Sequence, residues 1–232
     1  MDNAIAENAI NNLLAAPTQR TLSDYVADQL RQAILSDRIK PGQRLVEQEL
    51  AESMQTSRGP VRDALKMLEN EGLVLRQPHR GAIVAELKSE DVIEIYTLRE
   101  ALENLAIRFA IRNATREQVD ELGRIVQAME QLAQRDYDQL DATDLDMEFH
   151  YTLCKISGHK RLLNAWVAMS AQIRLVLLKH RLWNPKDHRE RSVAWHARIV
   201  DSLRQGDVDQ AQKELHVHMA ASKEWIHDAV EY

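Results

Sequence analysis

The feature that most constrains this chain is how little in it can stop a helix: 232 residues contain only seven Gly and five Pro. So little punctuation over such a length favours long helices joined by short connections. From about Lys88 onward, apolar residues recur at helical spacing in stretches near 89–113, 115–135, 138–157, 159–181, 187–205 and 207–230. The breaks fall at Asn113-Ala114-Thr115, Ser157-Gly158, Asn184-Pro185 and Gly206-Asp207, and no segment there reads as a strand. This pattern predicts an all-α bundle of about six helices over residues 87–232, with many neighbours antiparallel because the loops are short.

The preceding residues are organised differently. Residues 1–19 are rich in Ala and Asn, are interrupted by Pro17, and predict a flexible arm. Three helices follow within residues 20–86. Thr21 or Ser23 can cap the first, which carries Leu22, Val26, Leu30, Ala33 and Ile34 and stops near Asp37, before the Pro41-Gly42 turn. After the short segment Arg44-Leu45-Val46, the second runs from Glu47 to Met54. Ser57 can cap the third, in which Pro60 is tolerated in the first turn, Val61, Ala64, Leu65 and Leu68 form an apolar stripe, and Gly72 ends the helix. Leu73 to Gln77 and Ala82 to Glu86 read as two strands flanking the tip Pro78-His79-Arg80-Gly81. The fold class expected is therefore mainly α: an N-terminal winged helix-turn-helix followed by the helical bundle.

The net charge of −6 argues at first against a nucleic-acid partner. Its distribution weakens that objection, because residues 20–86 hold 10 Lys+Arg against 10 Asp+Glu, and the acidic excess lies elsewhere. A neutral small domain with clustered arginines can still bind phosphates. The single cysteine, Cys154, cannot form an internal disulfide, and no run reads as a membrane span or a secretory leader. The expectation is a cytoplasmic protein with no membrane partner.

A helix can enter the major groove when its N-terminal turn presents polar and basic side chains to base edges and phosphates. Ser57-Arg58-Gly59-Pro60-Val61-Arg62 has that form: Arg58 and Arg62 lie four apart on one face, while Val61, Leu65 and Leu68 turn inward. Ser57 and the first-turn N–H groups add phosphate donors, and Gly59 leaves room for close approach. Arg76, His79 and Arg80 make the hairpin basic. A lone arginine pair is more often a solvated helix face, but this pair opens the third helix, directly before a wing.

These residues carry a resemblance. The stretch VADQLRQAILSDRIKPGQRLVEQELAESMQTSRGPVRDALKMLENEGLV, closed by RGAIV, resembles the DNA-binding domain of the GntR family of bacterial transcription regulators. The resemblance implies double-stranded operator DNA as partner, with Ser57, Arg58, Gly59, Pro60 and Arg62 on the recognition helix and Arg80 with Gly81 on the wing. One departure is Gln48, where some members carry a DNA-contacting Arg.

In the bundle, Asp146 and His150 lie four apart and share a side with Phe149 and Leu153, so both should face inward. His196 falls in a stripe with Val193, Ile199, Val200 and Leu203, and His218 in one with Ala211, Leu215 and Trp225, whereas His216 should face solvent. Three imidazoles and a carboxylate suit zinc, nickel or another first-row divalent ion. Periodicity alone leaves satisfied core histidines equally open. DLDMEFHYTLCKISGH and WHARIVDSLRQGDVDQAQKELHVHM resemble the FCD ligand-sensing domain of the FadR subgroup, whose metal-containing members combine an Asp and a His four apart with two later histidines. By that resemblance Asp146, His150, His196 and His218 are the metal ligands, with zinc the first expectation. YTLREALENLAIRFA resembles the first FCD helix and places Arg99 as an inward partner for a carboxylate effector, with Arg174 a second candidate. His159 departs from the family, which often has Asn after Ser-Gly.

The resemblance as a whole implies a homodimeric repressor, associated with the nucleoid when bound to DNA, whose operator affinity changes when a small organic acid binds at the metal. Two rivals remain at this point: a metalloenzyme and a metal-free acyl-CoA sensor. The first lacks a phosphate loop, an H-E-x-x-H motif, a nucleophile elbow and the paired Glu-x-x-His set of di-iron proteins. The second would gain nothing from three inward histidines.

Overall fold

The computed structural model describes residues 21–77, 81–183, 186 and 188–229. The expected arm, and Arg80 at the wing tip, lie outside these residues. Helix α1 (Leu22–Leu35) starts at Thr21, whose side chain accepts from the Asp24 N–H while Asp24 accepts from the Thr21 N–H. This reciprocal capping box settles the choice between Thr21 and Ser23. Strand β1 (Arg44–Leu45), α2 (Glu47–Ser53) and α3 (Arg58–Asn70) follow, then β2 (Val74–Gln77) and β3 (Gly81–Val84). The three antiparallel strands are ordered β1-β3-β2, with Leu45 opposite Ala82 and Gln77 opposite Gly81.

Two details differ from the sequence reading. The segment Arg44-Leu45 is a third strand, and β3 begins at Gly81 and stops at Val84 rather than Glu86. Gly81 has φ +85°, and a Cβ there would stand 2.7 Å from the Leu45 carbonyl oxygen. The position thus needs glycine because the Leu45 carbonyl of the paired strand β1 lies against it.

The inward face of α3 is as its spacing predicts: Val61, Ala64, Leu65 and Leu68 are buried against Val26, Leu30 and Ile34 of α1. The helix ends at Gly72 (φ +70°), and Arg31 Nε reaches across to Glu71 at 2.7 Å.

The remainder of the described chain is helical: α4 (Ser89–Asn113), α5 (Arg116–Ala133), α6 (Gln139–Ile156), α7 (Lys160–Trp183), a single π-helical turn (His188–Ser192), α8 (Val193–Gln205) and α9 (Val208–Ala229). Thr115 and Gln118 form a second capping box at the start of α5. His159 is not turned into a pocket. Its Nδ1 accepts the Leu162 N–H at 3.2 Å in the first turn of α7, as an Asn oxygen would.

The bundle core runs through Tyr96, Ile107, Leu122, Met129, Phe149, Leu153, Ile173, Ile199 and Leu215. Segment Lys160–Arg181 is long and apolar enough to cross a membrane by length and composition alone, a match the sequence reading did not make. Many of its apolar residues are buried among other helices, which accounts for the composition. Helix α7 also serves both halves of the chain. Leu162, Trp166, Ile173 and Leu177 join the bundle core, whereas Ala171 and Leu175 join the core of the winged helix. A Cβ at Gly72 would overlap the Gln172 side chain of α7, so α3 ends directly against that helix.

Candidate functional site

The first turn of α3 stands clear of the protein. Ser57, in extended conformation before the helix, makes no side-chain cap bond, and Ser57, Arg58 and Gly59 are exposed. An added Cβ at Gly59 would meet nothing within 4 Å, so no packing inside the fold requires glycine there. Pro60 is half-buried, and Arg62 lies beside Arg58 on the exposed face. Glu47 of α2 accepts from both guanidiniums, at 3.2 Å from Arg62 Nη2 and 3.3 Å from Arg58 Nη2. Gln48 points along its own helix and donates to Glu52. Gly81 faces the Leu45 carbonyl of β1, as described above.

The second constellation is buried. Asp146 and His150 on α6, His196 on α8 and His218 on α9 each present a ligand-type atom, all within 4.8 Å of one another. His150 Nε2 lies 3.1 Å from His196 Nε2 and 3.2 Å from His218 Nε2. The Asp146 oxygens lie 3.5 and 3.7 Å from His150 Nε2 and His196 Nε2. His216, two residues before His218, is exposed and pairs with Glu100.

The other faces of two rings are committed. His150 Nδ1 meets Glu103 Oε2 at 2.6 Å, and His196 Nδ1 meets the Ser192 carbonyl at 2.7 Å. Both partners are acceptors, so each neutral ring carries its proton on Nδ1 and its lone pair on Nε2. Two lone pairs then face each other at 3.1 Å, an arrangement a cation relieves and a hydrogen bond cannot. Ligand bonds of about 2.0–2.1 Å separate neighbouring nitrogens by roughly 2.9–3.4 Å in octahedral to tetrahedral geometry, which brackets the observed spacing. Asp146 Oδ1 is buried with no hydrogen-bond partner. The donor set fits a first-row divalent ion.

The electrostatics agree. Burial pushes the His196 imidazole down to about 3 despite the opposing pull of Asp146, and burial likewise drives His218 well below its usual value. Burial alone would raise Asp146, but His150, His196, Arg181 and Arg99 outweigh it and hold the carboxyl well below its normal range. At neutral pH the site therefore offers the Asp146 carboxylate and the neutral imidazoles of His196 and His218.

Arg99 faces this cluster as expected. It donates from Nε to Glu103 at 2.8 Å and lies 3.6 Å from Asp146 through Nη2. Arg174 does not join it: its guanidinium pairs with Asp144, on a different part of α6. Arg181, seven residues further along α7, donates to Asp146 Oδ2 at 2.9 Å instead. Besides Arg181, one more residue escaped the sequence reading. Glu103, one turn after Arg99, takes up Arg99, His150 and the Trp166 indole N–H at 2.9 Å. Burial would raise it, but Arg99 and His150 hold it at about 2. Its i+4 spacing from Arg99 was the available signal.

Comparison with known proteins identifies both halves of the chain. Residues 22–84 match the gntR family of bacterial regulatory proteins, and residues 94–221 match the FCD domain. A probable D-xylose utilization operon transcriptional repressor from Paenarthrobacter nicotinovorans is 30% identical over 204 residues, covering 88% of each chain. The gluconate operon transcriptional repressor of Bacillus licheniformis is 29% identical, over 82% of this chain and 79% of that one. The solved structure of E. coli McbR/YncC shares the fold with a TM-score of 0.72 at 22% identity, over 90% of this chain and 99% of the other. The chain belongs to the GntR family of bacterial transcription regulators, whose members act by binding DNA rather than as enzymes, and its C-terminal half is an FCD ligand-sensing domain.

Proposed function

We propose that this regulator is a cytoplasmic, homodimeric repressor that reads operator DNA through Ser57, Arg58, Gly59, Pro60 and Arg62, with Arg80 on the wing. A divalent metal, zinc first among the candidates, is held by Asp146, His150, His196 and His218 in a domain spanning 87–232. The observation that carries this reading is the convergence of those four side chains within 4.8 Å in a buried site. The relatives named for the D-xylose and gluconate operons are repressors, which supports the direction of control.

Charge supports the class of effector. Glu103 and Asp146 balance Arg99 and Arg181 in the buried cluster. A divalent ion among neutral imidazoles leaves two positive charges uncompensated, and burying uncompensated charge is costly. A small organic acid supplies the missing negative charge. The metal, when bound, offers its carboxylate a Lewis-acidic position, and Arg99 and Arg181 supply donors beside it.

Arg181 also suggests how the signal travels. It sits on α7, which contributes Ala171 and Leu175 to the winged-helix core and places Gln172 against Gly72 at the end of α3. If Arg181 leaves Asp146 for an effector carboxylate, α7 gains a second preferred position, and the placement of the winged helix shifts with it. Only differential affinity of the effector for the two arrangements can drive such a shift.

Two measurements test the proposal. His196→Ala should abolish stoichiometric metal after dialysis, and full metal retention would sink the site. Purified protein should enrich a short palindrome from genomic fragments at a stated salt concentration. Diffuse binding throughout, with metal and small carboxylates present or absent, contradicts operator recognition.

A further inference from the structure

The arginines on the proposed DNA face are gathered around one carboxylate. Glu47, the first residue of α2, accepts through Oε2 from Arg58 Nη2 at 3.3 Å and from Arg62 at 3.2 Å (Nη2) and 3.4 Å (Nε). Its Oε1 lies 3.7 Å from Arg76 Nη2 on β2. The Glu47 side chain is only 14% exposed, whereas those of Arg58 and Arg62 are 60% and 49% exposed. Partial burial pushes the Glu47 carboxyl up, but hydrogen bonds from Arg62 and Arg58 outweigh it and hold it below the usual range. The group is ionised at neutral pH.

These contacts are longer than the roughly 2.7–2.9 Å of a committed charge-assisted bond. One carboxylate is shared among three cations and saturates none. A guanidinium has five N–H donors, and Arg58 and Arg62 turn only one or two of them to Glu47, so the exposed edges stay available for guanine or phosphate.

Two physical effects follow. A negative charge among three positive ones weakens attraction to any phosphate backbone, whatever the sequence. The same charge holds flexible side chains in one arrangement, which favours bidentate contact with base edges over loose contact with phosphates.

We infer that Glu47 is a positioning residue that sets the sequence discrimination of the recognition face, holding Arg58, Arg62 and Arg76 in place while suppressing their non-specific affinity for DNA. This rests on the assignment of Arg58 and Arg62 to operator contact.

The test is Glu47→Gln in the full chain, which keeps the shape and one acceptor but removes the charge. The probes are a duplex enriched by the wild-type protein from genomic fragments and a scrambled duplex of equal length, each titrated over a salt series. Removing one negative charge adds up to one neutralised phosphate, so the log–log salt slope on scrambled DNA steepens by about 0.9, or about eight-fold tighter binding at 0.1 M relative to 1 M salt. Affinity for the enriched duplex rises much less, because the arginines are released from their arrangement, and the ratio of the two affinities falls by most of that factor. An unchanged slope and ratio overturns the inference. A parallel loss on both duplexes with a lowered unfolding midpoint assigns Glu47 to folding alone and also overturns it. Arg62→Ala separates the two assignments: if that variant binds both duplexes like wild type, the contact assignment fails, and the role of Glu47 with it.

Discussion

Replacing Glu103 with Gln tests how the buried site is oriented. In the native protein, Oε1 receives Arg99 Nε at 2.8 Å and Trp166 Nε1 at 2.9 Å, and Oε2 receives His150 Nδ1 at 2.6 Å. A glutamine has one oxygen. If that oxygen keeps Arg99 and Trp166, the amide NH₂ faces the His150 Nδ1–H, donor against donor. The ring then moves away or shifts its proton to Nε2, and in the second case the nitrogen that faces the ligand cluster no longer has a lone pair. Loss of an outer partner of a metal-bound histidine costs about 10- to 100-fold in metal affinity, and a forced tautomer change puts E103Q at the upper end. The expected loss is therefore about 100-fold, or about 2.7 kcal/mol. Stability falls as well. Removing one member of a buried ion pair costs about 3–5 kcal/mol, and Arg99 retains Asp146 at 3.6 Å, so about 3 kcal/mol is expected. Metal affinity is read by competition with a chromophoric chelator, and stability by urea unfolding of the metal-stripped protein. An E103Q protein whose metal affinity lies within three-fold of wild type would refute the claim that Glu103 sets the His150 tautomer.

Three other outcomes are expected. His196 has a folded value of about 3 against about 6.5 unfolded. The unfolded chain thus binds the extra proton between those values, and stability falls as pH drops through that window. From pH 7 to pH 5 this group alone costs the metal-free protein about 2 kcal/mol; a urea midpoint unchanged over that range contradicts it. Gly59→Ala meets no atom of the protein, so the fold should be stabilised by up to about 1 kcal/mol while operator affinity falls; equal operator affinity would remove Gly59 from the DNA face. Gly81→Ala should destabilise more than Gly72→Ala. Both positions have positive φ, but the new methyl meets the Leu45 main-chain oxygen in the first case and the movable Gln172 side chain in the second. Thermal unfolding of the two variants decides the order.

Much of this protein was legible in one dimension because its determinants are local. The Thr21 cap, the Pro41-Gly42 turn, the α3 stripe and the breaks between bundle helices each depend on residues within a turn or two of one another. Helical spacing likewise turned Asp146, His150, His196 and His218 inward, and short connections left them few ways to face apart.

Tertiary structure decided the partners. Helix α7 carries Arg174 and Arg181 two turns apart on nearly the same side, and periodicity cannot rank them. Only the line along which α7 crosses α6 puts Arg181 on Asp146 and Arg174 on Asp144. Glu47 was hidden, and Glu103 carried only its i+4 spacing from Arg99 as a signal, since a glutamate on a helix reads as solvated until distant residues converge on it. Trp166 and His150 lie 63 and 47 positions from Glu103, and Arg58 and Arg62 lie 11 and 15 from Glu47. The sharing of α7 between two cores was also invisible, because an apolar stripe specifies that a face is buried and not what buries it. Sequence alone set the elements and their inward faces through short-range sterics and hydrogen bonding, and the packing of those faces chose which charges would meet.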